Sequence, residues 1–263
     1  MIIKLLKKVL RIALLLYILF GFYLFFSQKS ILYHPDNQDF KRCSGFKDYQ
    51  KLEANGTRFY FKEGQGDDVI VYYHGNAGSA CDRSYARAVF EQSDASLIFV
   101  EYAGYSNDDV NPSEELILND VENIHNYIYE KDYEEVTVYG QSIGSGAASY
   151  HAGLGDVENL ILVSPFSSLE KVAQSKYVIY PASILLTKEY DNVKWLKDYH
   201  GRLLIIHGDS DSIIPEKFSK ELYQSIPSLE KEYILIEERG HNDIWLSANF
   251  KRQIIQFIKS DQE

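Results

Sequence analysis

The sequence predicts an α/β domain built on a mostly parallel central sheet with helices on both faces. Three observations carry that expectation. The short runs Asp68–Tyr73, Leu97–Tyr102, Val136–Tyr139, Leu160–Val163, Leu203–Ile206 and Tyr233–Ile236 are nearly continuous in apolar, β-branched and aromatic residues. Such runs suit strands covered on both faces, as parallel strands are. Helix-patterned segments alternate with them, which parallel crossovers require. Polar, glycine-containing clusters follow the runs, at the carboxyl ends where open parallel sheets bind ligands.

The first residues stand apart from that domain. Lys4, Lys7, Lys8 and Arg11 precede Ile12–Phe26, which carries no charge. With Val9 and Leu10 added and Arg11 snorkelling, the run is just long enough to cross a bilayer. A cleaved signal peptide and an uncleaved signal anchor share this start. Gly21–Ser30 (GFYLFFSQKS) offers no small-residue cleavage site and no lipobox cysteine, which favours an uncleaved anchor over residues 1–28. A buried soluble helix fits poorly, because every face of Ile12–Phe26 is apolar. The preceding basic residues put the N-terminus in the cytoplasm and the globular domain on the non-cytoplasmic side. Residues 29–47, of mixed composition, read as a linker draped on a domain over 48–263.

Length and composition suit one large globular domain: 263 residues, 45% of them hydrophobic and 25% charged. Net charge is −11, and without the four basic residues of the anchor 23 basic residues face 38 acidic ones. An acidic domain argues against nucleic acid as a partner, and against tight docking on anionic lipid beyond the anchor. The oligomeric state is left open. Cys43 and Cys81 fit no metal spacing. In an oxidising compartment they can form one bridge; the alternative of two free thiols stays open.

Along the domain, Tyr49–Glu53 and Thr57–Lys62 alternate around Asn55-Gly56, a type I′ hairpin signal. Asn55-Gly56-Thr57 is also a glycosylation sequon, already explained by the turn. The segment ahead of the Asp68 run is short, which predicts abbreviated leading strands. Asn111-Pro112-Ser113-Glu114-Glu115 reads as a helix start with Asn111 as cap, and Leu116, Val121, Ile124 and Ile128 continue at helical spacing. Ile244–Lys259 reads as a closing helix capped by Asp243.

The chemistry centres on Val136–Ala148, VTVYGQSIGSGAA. An apolar run meets Gly140-Gln141-Ser142-Ile143-Gly144, and small residues follow. This reads as strand, sharp turn and helix, with Ser142 strained at the top and glycines at −2 and +2 so that strand and helix can approach. The amide of Ile143 would face an oxyanion formed beside Ser142. A nucleophilic serine needs a base, and the base an acid to hold its tautomer. His241 follows the last strand and Asp211 the one before, with Asp209 as the rival acid. A second oxyanion donor is expected from the amide of Asn76, in the loop after the Asp68 strand. His74 and His207 precede glycines and read as loop braces. No H-E-x-x-H or comparable spacing points to a metal, and no cofactor is implied.

These residues together resemble the α/β-hydrolase fold, and within it the small, often membrane-anchored serine hydrolases of the ABHD type. The resemblance rests on Ile31–Pro35, His74–Gly78, Glu101–Ser106, Gly140–Gly144, Ser164–Leu169, His207–Asp211 and Gly240–Asp243, and it covers the chain from about Leu32 onward. It implies a triad of Ser142, Asp211 and His241, with the amides of Asn76 and Ile143 as oxyanion hole. Glu101 and Ala103 depart from the Asp and Arg usual in such relatives, which bears on loop shape. A lid is expected over about 166–201, with two or three short helices. Its Tyr177, Val178, Tyr180, Ile184, Leu185, Leu186 and Trp195 are apolar or aromatic, and Tyr177, Tyr180 and Leu185 are the tentative pocket residues.

The expected activity is cleavage of carboxylic esters or thioesters through an acyl-enzyme, on hydrophobic small-molecule or acylated-protein substrates. The activity should need a neutral His241, and so fall as pH drops through the histidine range. Alternatives are a peptidase or amidase on the same fold, and a catalytically dead membrane-tethered binding protein.

Overall fold

The computed structural model describes residues 1–187 and 190–259. Residues 188–189 of the expected lid and 260–263 of the expected domain lie outside the described residues. The chain opens with one long helix, α1 (Ile2–Leu32), and then builds an eight-stranded sheet. In chain order the elements are β1 (Gln50–Ala54), β2 (Thr57–Lys62), β3 (Val69–Tyr73), α2 (Arg87–Phe90), β4 (Ser96–Glu101), α3 (Glu114–Tyr129) and β5 (Val136–Gln141). There follow α4 (Gly144–Leu154), β6 (Asn159–Val163), α5 (Leu169–Lys176), α6 (Ala182–Leu185), α7 (Asn192–Trp195), β7 (Arg202–Gly208), α8 (Glu216–Ser225), β8 (Lys231–Ile236) and α9 (Ala248–Lys259).

The strand order is β1-β2-β4-β3-β5-β6-β7-β8. From β4 to β8 all pairs are parallel, while β1 pairs with β2 and β2 with β4 antiparallel. The alternation of side chains along a strand explains the two cores. Val136 and Val138 of β5 face a core shared with α3, α4 and α8, whereas Tyr139 faces one completed by Phe90, Phe250 and Ile254. The fold class expected from sequence is the one observed.

Several local expectations are corrected. The leading strands are not abbreviated: β1 and β2 have five and six residues, as long as β3 and β4. Asn55 and Gly56 take positive φ, 50° and 91°, as a type I′ turn demands. Helix α3 is capped by Ser113 rather than Asn111: Ser113 is extended and its side chain accepts from the amide of Leu116. The closing helix begins at Ala248, after a 3-10 turn over Ile244–Leu246. Ser247 interrupts the apolar run, and its hydroxyl accepts from the amide of Phe250 at 3.2 Å. Asp243 caps nothing there; it accepts from the amide of Gly240 at 2.7 Å.

The segment after α1 lies on the domain. His34–Pro35 pairs in parallel with Ala77–Gly78, and Phe40, Cys43 and Phe46 are buried. Cys43 and Cys81 form a disulfide, which closes one of the two alternatives above. Helix α1 is long and apolar enough to cross a membrane, and it continues past residue 28 to Leu32. Its second half is not detached: Leu24 is buried, and the ring of Tyr17 stacks on Tyr180 at 4.5 Å.

Candidate active site

Strand β5 ends at Gln141 and α4 begins at Gly144, so Ser142 occupies a two-residue turn. Its φ is +57°, a left-handed conformation that costs a non-glycine residue energy and holds the side chain clear of the sheet. The flanking glycines have a steric reason. A Cβ on Gly140 would lie 2.2 Å from the carbonyl oxygen of Gly144, and one on Gly144 would lie 2.4 Å from the carbonyl oxygens of Tyr73 and His74. Only glycine lets α4 approach β5 and β3 this closely.

Two later loops reach this turn. The loop after β7 brings Asp211, and the loop after β8 brings His241. Nε2 of His241 lies 2.8 Å from Ser142 Oγ, and Nδ1 lies 2.7 Å from Asp211 Oδ2. The other carboxylate oxygen of Asp211 accepts from the amides of Ile213 and Ile214, at 2.9 and 2.8 Å. Burial pushes the Asp211 pKa up, but the hydrogen bond and charge of His241, with the Ile214 amide, hold it below the ordinary carboxylate value. Asp209 is exposed and bonded to Ser210, away from this cluster.

His207 and His74 brace the loops, as expected. His207 Nε2 donates to the carbonyl of Ile214 at 2.9 Å, and burial lowers its pKa, favouring the neutral ring. His74 Nδ1 bonds to the carbonyl oxygen of Gly75 at 2.7 Å, while its Nε2 lies 3.6 Å from the buried Glu101. Glu101 in turn accepts from Ser106 Oγ at 2.7 Å and from the amide of Ala80 at 3.3 Å.

The Gly75–Asn76 loop lies beside the serine: a Cβ on Gly75 would sit 3.7 Å from Ser142 Cβ. The loop is held from three sides. Tyr105 Oη donates to the Asn76 carbonyl at 2.8 Å, the amide of His34 donates to the same oxygen at 2.9 Å, and the Asn76 side chain donates to the carbonyl of Leu32 at 2.9 Å. Among the described residues, the backbone amides of Asn76 and Ile143 have no hydrogen-bond acceptor. The Ser142 amide, by contrast, is bonded to the carbonyl of Val163 at 2.9 Å.

A cavity of about 490 Å³ opens at Ser142 and His241, lined mainly by apolar side chains. Tyr177, Tyr180, Leu185 and Leu186 line it, whereas Val178 and Ile184 face outward and Trp195 packs on Tyr150. The lid has three short helices, α5 to α7, among the described residues.

Three features were missed in the sequence. Trp245 Nε1 donates to Gln141 Oε1 at 2.9 Å, tying the segment after His241 to the residue before Ser142. Tyr105 positions the Asn76 loop. Leu24 and Gln28 of α1 line the cavity. A tryptophan four residues after the histidine was the available signal for the first. For α1 there was none, since a helix apolar on every face marks no contact stripe. Among the described residues no group of three or more His, Cys, Asp or Glu side chains could hold a metal ion.

No family model matches the chain. It is 26% identical over 195 residues to the uncharacterized protein Rv2307c of Mycobacterium tuberculosis, a match covering 73% of this chain and 69% of that one. It is 27% identical over 202 residues to alpha/beta hydrolase domain-containing protein 17C of Xenopus tropicalis, covering 73% of this chain and 62% of the relative. Among solved structures, an esterase of Pyrococcus furiosus superposes with a TM-score of 0.64 at 16% identity, over 88% of this chain and 98% of that one. Sheet order, strand-turn-helix and these likenesses agree: the chain has the α/β-hydrolase fold.

Proposed function

We propose that the protein is a serine hydrolase that cleaves carboxylic esters or thioesters through an acyl-enzyme. The observation that carries this reading is the continuous chain Ser142 Oγ, His241, Asp211, with both hydrogen bonds under 3 Å. Ser142 Oγ bonds to the acyl carbon while its proton passes to His241 Nε2. The tetrahedral oxyanion is met by the free amides of Asn76 and Ile143. The bond to the alcohol or thiol then breaks, and the leaving group takes the proton from His241. Water deprotonated by His241 attacks the acyl-serine, releases the carboxylic acid and returns the proton to Ser142. Asp211 stays charged throughout and holds the imidazole with its proton on Nδ1.

The apolar cavity favours an acyl chain over a polar substrate. The basic residues ahead of Ile12–Phe26, together with the Cys43–Cys81 disulfide, favour α1 as an anchor with the domain on the oxidising, non-cytoplasmic side. The test is labelling by a fluorophosphonate probe in wild type, Ser142→Ala and His241→Ala. Labelling lost in both variants is expected. Labelling that survives Ser142→Ala would move the nucleophile elsewhere and overturn this assignment.

A further inference from the structure

Helix α1 does more than precede the domain. Gln28 Nε2 donates to the carbonyl of Leu185 at 3.3 Å, and Gln28 Oε1 accepts from the amide of Thr187 at 3.2 Å. Higher on the helix, Tyr17 Oη donates to the carbonyl of Ile179 at 2.8 Å, and Tyr180 Oη donates to the carbonyl of Tyr17 at 3.0 Å. Between these points Leu24 lines the same cavity as Ser142 and His241. The cavity therefore has the lid on one side and α1 on another. The lid tip beside it is apolar and bare: Val178, Ile179 and Ile184 are 74%, 71% and 75% exposed.

The depths agree with a bilayer. From Leu32 to Tyr17 the helix rises about 22 Å at 1.5 Å per residue. Half a bilayer, headgroups included, is about 20–22 Å. With Leu32 at the outer surface, the Tyr17–Tyr180 contact reaches the inner edge of the outer leaflet, near the bilayer midplane. The Asn76 side chain binds the carbonyl of Leu32, so the reacting end of the cavity lies by the helix end, at headgroup depth. An ester carbonyl at headgroup depth, with its chain descending beside α1, is the arrangement of a bilayer lipid.

We propose that α1 is a wall of the acyl-binding site, and that a bilayer glycerolipid slides its acyl chain into the cavity sideways, along the seam between α1 and the lid tip. This rests on the serine-hydrolase reading of Ser142. The lipid ester is preferred to an acylated cysteine because the disulfide marks an oxidising compartment, where free protein thiols are scarce.

The experiment uses the full chain in phosphatidylcholine vesicles. Both native cysteines are bridged, so Ile179→Cys, Ile184→Cys and Leu229→Cys each offer one thiol for an environment-sensitive dye. Probes at 179 and 184 should be quenched several-fold more by acyl-chain nitroxide lipids than the probe at Leu229, a residue 97% exposed in the loop before β8. Leu24→Trp, which narrows the seam, should cut turnover of vesicle-borne long-chain phosphatidylcholine about tenfold more than that of a soluble acetyl ester. Equal quenching at all three sites, or equal losses on both esters, overturns the inference. Preferred turnover of a vesicle-anchored S-acyl peptide overturns the choice of lipid. Fluorophosphonate labelling of the same preparations separates the two levels. A labelled Ser142 with water-exposed probes sinks lateral entry alone, and an unlabelled Ser142 sinks the hydrolase reading and lateral entry with it.

Discussion

Asp211 accepts three hydrogen bonds from its neighbours, two amides on one oxygen and His241 on the other. Asp211→Asn keeps the volume but can present an N–H to Nδ1, which favours the tautomer that cannot take the serine proton. An esterase assay should show kcat falling by about 10³–10⁴ with the folded structure retained. His151 makes a different prediction. It is fully buried on α4 against Tyr73 Oη, and burial lowers its pKa to about 3. The unfolded chain titrates that ring near 6.5, so below about pH 6.5 the unfolded state holds one more proton. Stability is therefore lost as pH falls from about 6.5 toward 3. The buried Asp120 works the opposite way: burial raises its pKa to about 6, so the folded state gains a proton first as pH falls. Urea unfolding at pH 7 and pH 5 should show His151→Asn losing about 2 kcal/mol less than wild type on acidification. Equal losses would refute the burial argument.

At the scale of elements, the turn between β5 and α4 is the most constrained junction. A methyl group on Gly144 meets backbone oxygens of β3 and the residue after it, which cannot rotate away. Gly144→Ala should therefore cost about 1–3 kcal/mol in urea unfolding and lower fluorophosphonate labelling, because α4 must back off and carry Ser142 with it. This junction was legible from sequence because its chemistry is local: Gly, Ser and Gly at fixed spacing after an apolar run. So were Asp211 and His241, each in a polar loop directly after a strand. Helix boundaries were read less well. Asn111 and Ser113 are both good caps, and only the extended backbone at Ser113 decides between them. The packing of α1 on the lid was not legible at all, since it depends on which apolar face meets Tyr180 and Leu185.

At the scale of the whole molecule, the Cys43–Cys81 bridge fastens the segment after α1 to the loop ahead of α2 across 38 residues. Closing a loop of that length in the unfolded chain is worth about 4 kcal/mol by chain entropy. Chemical denaturation of Cys43→Ser/Cys81→Ser should show a loss of up to that size, and a negligible change would mean that the buried neighbours alone hold the segment. The fold class was legible because parallel strands advertise themselves as apolar runs. The pairing of the two cysteines was not, because proximity across the chain leaves no local trace. The distance along the chain between Ser142 and His241 has a last consequence. The two side chains touch, yet 99 positions separate them, and His241 follows every strand of the sheet. A chain emerging from the ribosome presents Ser142 long before His241 is made. During synthesis Ser142 therefore stays without its histidine partner, and the Ser142–His241–Asp211 chain closes only once the final strand has docked.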